Sequence, residues 1–150
     1  MKGRDIVKKG IGIGRSDFKS VILNDLYYVD KTMFIKDIID DESQAILITR
    51  PRRFGKTLNM STLNYFFNID KKDTQKLFNG LKIMEQGETY TSKQGTYPCI
   101  FLSLADVKTP TYEKMIASFK TAIHEVYCEY RYLLDSDKIC DDEKNILKIY

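Results

Sequence analysis

The segment at residues 50–57, RPRRFGKT, constrains the fold of this chain more than any other feature of the sequence. It follows residues 45–49 (AILIT), a short apolar and β-branched segment that is typical of a buried strand. A helix-compatible apolar pattern begins at Thr57 and continues to about Asn68. A basic, glycine-containing loop between a strand and a helix is the setting in which Gly-Lys-Thr binds a chain of phosphates.

Two further segments favour the same fold class. Residues 99–104 (CIFLSL) indicate a second buried strand, and residues 26–29 (LYYV) indicate a short extended segment. An apolar stripe at helical spacing predicts a long helix that starts near Pro110 and runs to about Leu134. This alternation predicts an α/β fold, a P-loop NTPase-like parallel sheet with flanking helices. Because such a sheet usually has about five strands, we expect the chain to hold an incomplete half of that domain.

Composition restricts the class of protein. The chain has 150 residues, of which 43% are apolar and 30% charged, a balance typical of a globular domain. Its apolar runs are far shorter than the roughly 20 residues that span a bilayer, so we expect no membrane contact. The N-terminus lacks the apolar core of a secretory signal. Cys99, Cys128 and Cys140 are an odd number without C-x-x-C spacing, which favours a reducing cytoplasm.

Residues 1–15 are basic and rich in glycine, and we interpret them as a flexible basic arm. Their G-I-G-I-G spacing lacks the preceding strand that a dinucleotide-binding fingerprint requires.

The loop offers the groups that phosphates need. A helix N-terminus presents unpaired amides and a partial positive charge. Gly55 allows close approach of the backbone, Lys56 adds a compact positive charge, and the hydroxyl of Thr57 can ligate Mg²⁺ that arrives with the nucleotide. The residues predicted to bind the nucleotide are Arg52, Arg53, Phe54, Gly55, Lys56, Thr57 and Leu58.

The loop departs from the usual motif G-x-x-x-x-G-K-[ST], because Arg50 stands where the first glycine belongs. It resembles instead the loop of the prokaryotic AAA-ATPase-like family, a branch of the P-loop ATPases that has Arg at that position. The resemblance covers nearly the whole chain, and residues 1–150 resemble the N-terminal portion of that family's ATPase domain. The segments that carry it are GIG with DF at residues 12–14 and 17–18, YVDKT with FI at residues 28–32 and 34–35, LITRPRRFGKTL at residues 47–58, YFF at residues 65–67 and YPCIFL at residues 97–102.

The resemblance implies ATP and Mg²⁺ as cofactors, with Lys56 and Thr57 in the Walker A roles. Related ATPases place a segment beside the nucleotide base at the position of residues 28–32, so Tyr28 or Asp30 is expected near that pocket. The residues allow other roles, since Asp30 also fits a helix N-cap and Tyr28 a core aromatic. Family members often carry a nuclease-like domain of the PD-(D/E)XK type downstream, which implies nucleic acid as a partner of that domain.

An acid that completes the magnesium site is the missing element. P-loop ATPases place an Asp at the end of a neighbouring apolar strand. Asp106 is the catalytic candidate in this chain, although it lies beyond the apolar part of residues 99–104. In the family that the chain resembles, the acidic strand comes later. We therefore expect steady ATP turnover by this chain to be absent or very slow.

Two alternatives to nucleotide binding remain. Arg50, Arg52, Arg53 and Lys56 would also suit a basic module that binds nucleic-acid phosphates, although the net charge is only +3. The chain would otherwise be an inactive, truncated remnant. The sequence leaves the oligomeric state open.

Overall fold

The computed structural model describes residues 9–105, 107–135, 139–142 and 144–145 of this chain, and among these the side chain of Leu133 is not described. The chain divides into two compact units, the first ending at Cys99 and the second beginning at Ile100. The first unit contains the helices α1 (Phe18–Leu23), α2 (Met33–Asp40), α3 (Lys56–Phe67) and α4 (Glu88–Thr91) and the 3₁₀ segments Ile69–Phe78 and Lys82–Glu85. The second contains α5 (Tyr112–Glu129) and the 3₁₀ segment Arg131–Asp135.

The predicted parallel sheet is wrong, because the described residues form no strands. Their one β-type pairing is an isolated parallel bridge between Asn68 and Tyr97. Residues 26–29, 45–49 and 99–104 have irregular backbone conformations. The predicted α/β class, and with it the idea of half a sheet, is therefore replaced by a helical architecture.

The physical reason for this error lies in what a strand requires. Apolar and β-branched residues show that a segment fits a pleated surface, but a strand exists only where a neighbour pairs with its amides and carbonyls. Residues 45–49 and 99–104 find no such neighbour among the described residues. Leu47 is 86% exposed and Ile100 is 74% exposed, so these segments are not buried as a central strand would be.

The core of the first unit is a cluster of fully buried apolar side chains, to which each of five elements contributes one. These residues are Phe18 of α1, Ile35 of α2, Phe66 of α3, and Phe78 and Ile83 of the two 3₁₀ segments. The ring of Phe78 lies at the centre, because its centroid is 4.8 Å from that of Phe18 and 5.2 Å from that of Phe66. This packing fixes the C-terminal part of α3 against the rest of the unit.

Among the described residues of the second unit, α5 is the longest element. Its first turn is capped by the hydroxyl of Thr111, which accepts a hydrogen bond of 3.4 Å from the amide of Lys114. The predicted helix to Leu134 is shorter in the structure, because α5 ends at Glu129 and a 3₁₀ segment follows. In the described part of the chain, no helix combines the length and the apolar character needed to cross a bilayer.

Candidate functional site

The loop before α3 has an unusual backbone conformation at two positions. Gly55 is the N-cap of α3 and adopts a left-handed conformation with a φ of 74°. A Cβ at Gly55 would meet no atom within 4 Å, so the conformation, and not space, explains the glycine. Arg53 has a φ of 69° although it is not glycine. A strained residue beside a helix N-terminus is typical of a functional loop.

The first turn of α3 leaves its amides available. The first hydrogen bond of the helix runs from the amide of Asn59 to the carbonyl of Gly55, at 2.9 Å. The amides of Lys56, Thr57 and Leu58 donate to no group in the part of the chain that the structure describes. Gly55 has no side chain that could cap them. This end of the helix therefore presents unpaired donors and a partial positive charge to solvent.

The ammonium group of Lys56 is held close to the same loop. Its Nζ donates to the carbonyl of Arg50 and, at 3.3 Å, to that of Pro51. Both acceptors are neutral and exposed, so these hydrogen bonds do not neutralise the lysine. The positive charge of Lys56 is therefore positioned beside the unpaired amides and remains uncompensated.

A cleft of about 690 Å³ lies in front of the loop. One wall is formed by residues 12–16, and the other by Arg53 with residues 55–58. Arg15, Arg53 and Lys56 bring three positive charges to the cleft, whereas no described Asp or Glu lines it. Its volume lies in the range of small-molecule sites. The arrangement suits an anion that carries several negative charges.

The structure brings together most of the residues predicted from the loop. Arg53, Gly55, Lys56, Thr57 and Leu58 line the cleft. Arg52 and Phe54, which were also predicted to bind the nucleotide, are exposed and do not line it.

The wall formed by residues 12–16 was not predicted as part of the site. The sequence placed these residues in or beside a flexible arm, and that interpretation stays a prediction. The available signal is the glycine spacing of residues 10–14, although no strand precedes it as a dinucleotide-binding fingerprint would require.

Magnesium would find few protein ligands in the cleft. The hydroxyl of Thr57, exposed at the start of α3, is in the predicted position for a ligand. Among the described residues, no group of three or more His, Cys, Asp or Glu side chains is arranged to hold a metal ion. Asp106, the predicted catalytic acid, lies outside the described residues.

Asp30 performs a structural task in the first unit. Its carboxylate accepts hydrogen bonds from the amide and hydroxyl of Thr32, at 2.9 and 2.7 Å, and from the amide of Lys82 at 2.8 Å. The buried hydroxyl of Thr32 in turn accepts a bond of 3.2 Å from the amide of Ile83. Burial opposes the charged form of Asp30, but these hydrogen bonds together hold its pKa below its usual value.

Tyr28 packs against the core. Its ring makes an edge-to-face contact with that of Phe18, with centroids 5.6 Å apart. Burial raises the pKa of the Tyr28 hydroxyl, and a hydrogen bond with Thr62 offsets this only in part. Tyr28 and Asp30 do not line the cleft. Their predicted place near a nucleotide base stays a prediction.

The cleft thus combines a helix N-terminus that begins at Gly55 with the side chains of Arg15, Arg53 and Lys56. The chain belongs to the AAA-ATPase-like family, described as "Predicted AAA-ATPase", whose family model matches residues 12–148. This membership, which the sequence motifs predicted, is consistent with nucleotide binding in general.

A curated relative gives a narrower comparison. The chain is 36% identical over 80 residues to an uncharacterized protein in the vnfD 5' region of Azotobacter chroococcum mcd 1. The matched segment is 53% of this chain but only 14% of the relative, so the chain spans a small part of that protein's length. No solved structure matches the chain.

Proposed function

We propose that this chain binds ATP together with Mg²⁺ through a degenerate Walker A loop at residues 50–57. The observation that carries the proposal is the first turn of α3, where amides without a partner among the described residues and the ammonium of Lys56 lie beside a cleft that no described carboxylate lines. Membership of a family described as a predicted ATPase supports the same ligand class.

The donor groups fit a chain of phosphates. Amides at a helix N-terminus bind anionic oxygens directly, and the guanidinium of Arg53 can bind two oxygens of one phosphate. Lys56 can reach a phosphate by exchanging its bonds to the carbonyls of Arg50 and Pro51, which are both exposed and easily rehydrated. The loop would thus bind the phosphates through backbone amides and through the side chains of Arg53 and Lys56.

Magnesium would depend mostly on the nucleotide. Mg²⁺ commonly keeps several waters and is held by substrate phosphates and one or two carboxylates. Thr57 would supply one oxygen ligand from this chain, and the described lining of the cleft supplies no carboxylate. We therefore expect Mg²⁺ to strengthen nucleotide binding only modestly.

Calorimetric titration with Mg·ATP tests the proposal. The Lys56→Ala variant removes a charge-assisted contact, which is worth roughly 1.5–3 kcal/mol, so we expect about 10- to 150-fold weaker binding. Lys76→Ala is the matched control, because Lys76 is exposed on the 3₁₀ segment Ile69–Phe78 and does not line the cleft. Equal affinities of the native chain and Lys56→Ala, or no binding by a folded native chain, would refute the proposal.

Hydrolysis is a separate question from binding. We propose that this chain turns over ATP very slowly or not at all, because a positioned acid is needed to complete catalysis at a phosphate-binding loop. Phosphate release should equal that of Lys56→Ala under the same conditions. Release well above that background would contradict the expectation, and Asp106→Asn would then be the variant to examine.

A competition experiment distinguishes nucleotide binding from the alternative hypothesis of a nucleic-acid-binding module. The four cations of the loop do not face one surface: Arg53 and Lys56 line the cleft, whereas Arg50 lines a smaller cavity with Asp37 and Asp41. This division favours a compact ligand over a long polyanion. A single-stranded oligonucleotide should therefore displace a fluorescent ATP analogue poorly, and displacement more efficient than that by ATP would favour the nucleic-acid hypothesis.

A further inference from the structure

The wall of the cleft formed by residues 12–16 begins with residues that contact the segment after α1. The amide of Tyr27 donates to the carbonyl of Gly10 at 2.8 Å, and Lys9 forms an ion pair of 2.5 Å with Asp25. Gly12 lies against Leu26, since a Cβ at Gly12 would be only 2.9 Å from the Leu26 Cδ1 atom. These contacts join residues 9–12 to residues 25–27.

A tight turn brings Arg15 to this cleft. The amide of Arg15 donates to the carbonyl of Gly12 at 3.1 Å, and Gly14 between them has a φ of 77°, which favours glycine. Nothing lies within 4 Å of a Cβ built on Gly14. The turn therefore depends on the conformation of Gly14, and it sets where the Arg15 side chain begins.

The guanidinium of Arg15 has no anionic partner in the described part of the chain. Its Nη1 donates to the hydroxyl of Ser20 at 2.7 Å, which uses one of five N–H donors. The neighbouring carboxylate of Asp17 is occupied elsewhere, because it accepts from the Ser20 amide at 2.7 Å and from the Ser61 hydroxyl at 3.3 Å. Arg15 is thus positioned by a hydrogen bond to a neutral group. Its positive charge and its remaining N–H donors are available to a ligand.

We infer that Arg15 binds a phosphate that the N-terminus of α3 does not hold, so that the cleft selects ligands by the length of their phosphate chain. The inference rests on the proposed function of the cleft. Cations on two walls can both be satisfied by a triphosphate, whereas a monophosphate on the amides of α3 leaves the second wall unused. A guanidinium suits this task because it binds two phosphate oxygens at once.

Affinities for ATP, ADP, AMP and inorganic triphosphate, measured on the native chain and on Arg15→Ala, test the inference. We expect Arg15→Ala to weaken the binding of ATP and triphosphate by about tenfold or more and to change that of AMP little. Arg15→Lys should restore part of the loss. An equal loss for AMP and ATP, or no loss for either, would overturn the inference.

Two further variants separate a direct contact from indirect effects. Lys19→Ala removes a nearby exposed charge that does not line the cleft, and Ser20→Ala removes the hydrogen bond that Arg15 makes to α1. Both should keep the preference for triphosphate over AMP. If either lost that preference as Arg15→Ala does, diffuse electrostatics or a structural role of Arg15 would replace the inferred contact. Circular dichroism would show that each variant is folded.

The same titrations distinguish failure of the inference from failure of the proposed function. If Lys56→Ala abolishes ATP binding and Arg15→Ala binds ATP like the native chain, the cleft binds nucleotide but the inference is wrong. If the native chain binds triphosphate through Arg15 and does not bind ATP, the nucleotide assignment is wrong and the inference about phosphates stands. If a folded native chain binds neither, both are refuted.

Discussion

The two ends of α3 are built in opposite ways. We call residues 66–68, together with residues 95–97, the packed end, and residues 50–58 the open end. At the packed end, the carbonyls of Phe66 and Phe67 accept from the amides of Gly95 and Tyr97, at 2.8 and 2.9 Å. At the open end, the first amides of the helix have no partner among the described residues, and Gly55 cannot cap them.

Burial follows the same division. Phe66 and Asn68 are fully buried, whereas Phe54 is 55% exposed and the side chains of Lys56 and Thr57 are exposed. The stability of a helix comes mostly from tertiary packing of its apolar face, so one well-packed end can hold the whole element. The helix α3 is therefore anchored at its C-terminus. The amides at its N-terminus are available to a ligand, because the fold does not depend on their hydrogen bonds.

The largest expected effect is the loss of stability when a buried side chain is removed from the packed end. Phe66 is fully buried, and its ring contacts those of Phe67 and Phe78. We expect Phe66→Ala to lower the free energy of unfolding by about 3–5 kcal/mol, because it removes apolar contacts and leaves a cavity. Urea unfolding followed by circular dichroism measures this. Phe54→Ala, at the open end, should change stability by less than about 0.5 kcal/mol, and similar losses in both variants would remove the contrast.

Asn68 is the next test, since it joins the packed end through polar contacts. Its Oδ1 accepts from the amide of Asp70 at 3.0 Å, and its Nδ2 donates to Asn64 Oδ1 at 3.0 Å and to the carbonyl of Cys99 at 3.2 Å. Asn68→Ala would remove three hydrogen bonds of a fully buried side chain and leave the half-buried Asn64 and Cys99 with one partner fewer, so we expect a loss of about 1–3 kcal/mol. Exposed Asn79 offers the matched control Asn79→Ala. Equal stability of the Asn68 variant and the native chain would show that water replaces these bonds.

Gly55 tests the open end, with Gly80 as its control. Both are left-handed, with φ of 74° and 79°, and neither would meet an atom within 4 Å of an added Cβ. Each Gly→Ala change should cost about 1 kcal/mol of stability through backbone strain. Only Gly55→Ala should also weaken ATP binding in a titration, because only Gly55 lines the cleft. Unchanged affinity in a folded Gly55→Ala protein would show that the left-handed conformation serves stability alone.

Local signals in the sequence predicted the helices well. The helix predicted from Thr57 to about Asn68 is confirmed as Lys56–Phe67, since its apolar spacing and glycine start are properties of the segment itself. The strands predicted at residues 45–49 and 99–104 are wrong, because pairing depends on a second segment and not on composition. The unpaired amides at the start of α3 could be predicted, since they follow from helix geometry.

The other wall of the cleft could not be predicted in this way. Arg15 reaches the cleft through the turn at Gly14 and through the contact of Gly12 with Leu26, which are tertiary relations. No periodic pattern links residues 12–16 to Lys56. The role of Asp30 was not predicted: the sequence allowed an N-cap, but Thr32 is the N-cap of α2, and Asp30 instead accepts from the amide of Lys82, which is distant in the sequence.

The smallest expected effect is a decrease in the free energy of unfolding at acid pH, which arises from Asp30. Burial disfavours the Asp30 carboxylate, but hydrogen bonds from the Lys82 amide and from Thr32 outweigh it, so its pKa in the folded chain lies below the usual 3.8. Since the folded state binds this proton less readily than the unfolded state, the stabilisation is complete above about pH 5 and declines as the pH falls below about 4.

Urea unfolding at a series of pH values between about 3 and 6 measures this contribution. We expect stability to decrease towards acid in the native chain and to decrease less steeply in Asp30→Asn, which carries no titratable group at that position. Asp73→Asn is the control, because Asp73 is exposed. The same acid dependence in Asp30→Asn and in the native chain would show that Asp30 does not link folding to pH. Since no described carboxylate lines the cleft, acid should weaken the contacts of Asp30 with Thr32 and Lys82 without protonating a described group of the cleft lining.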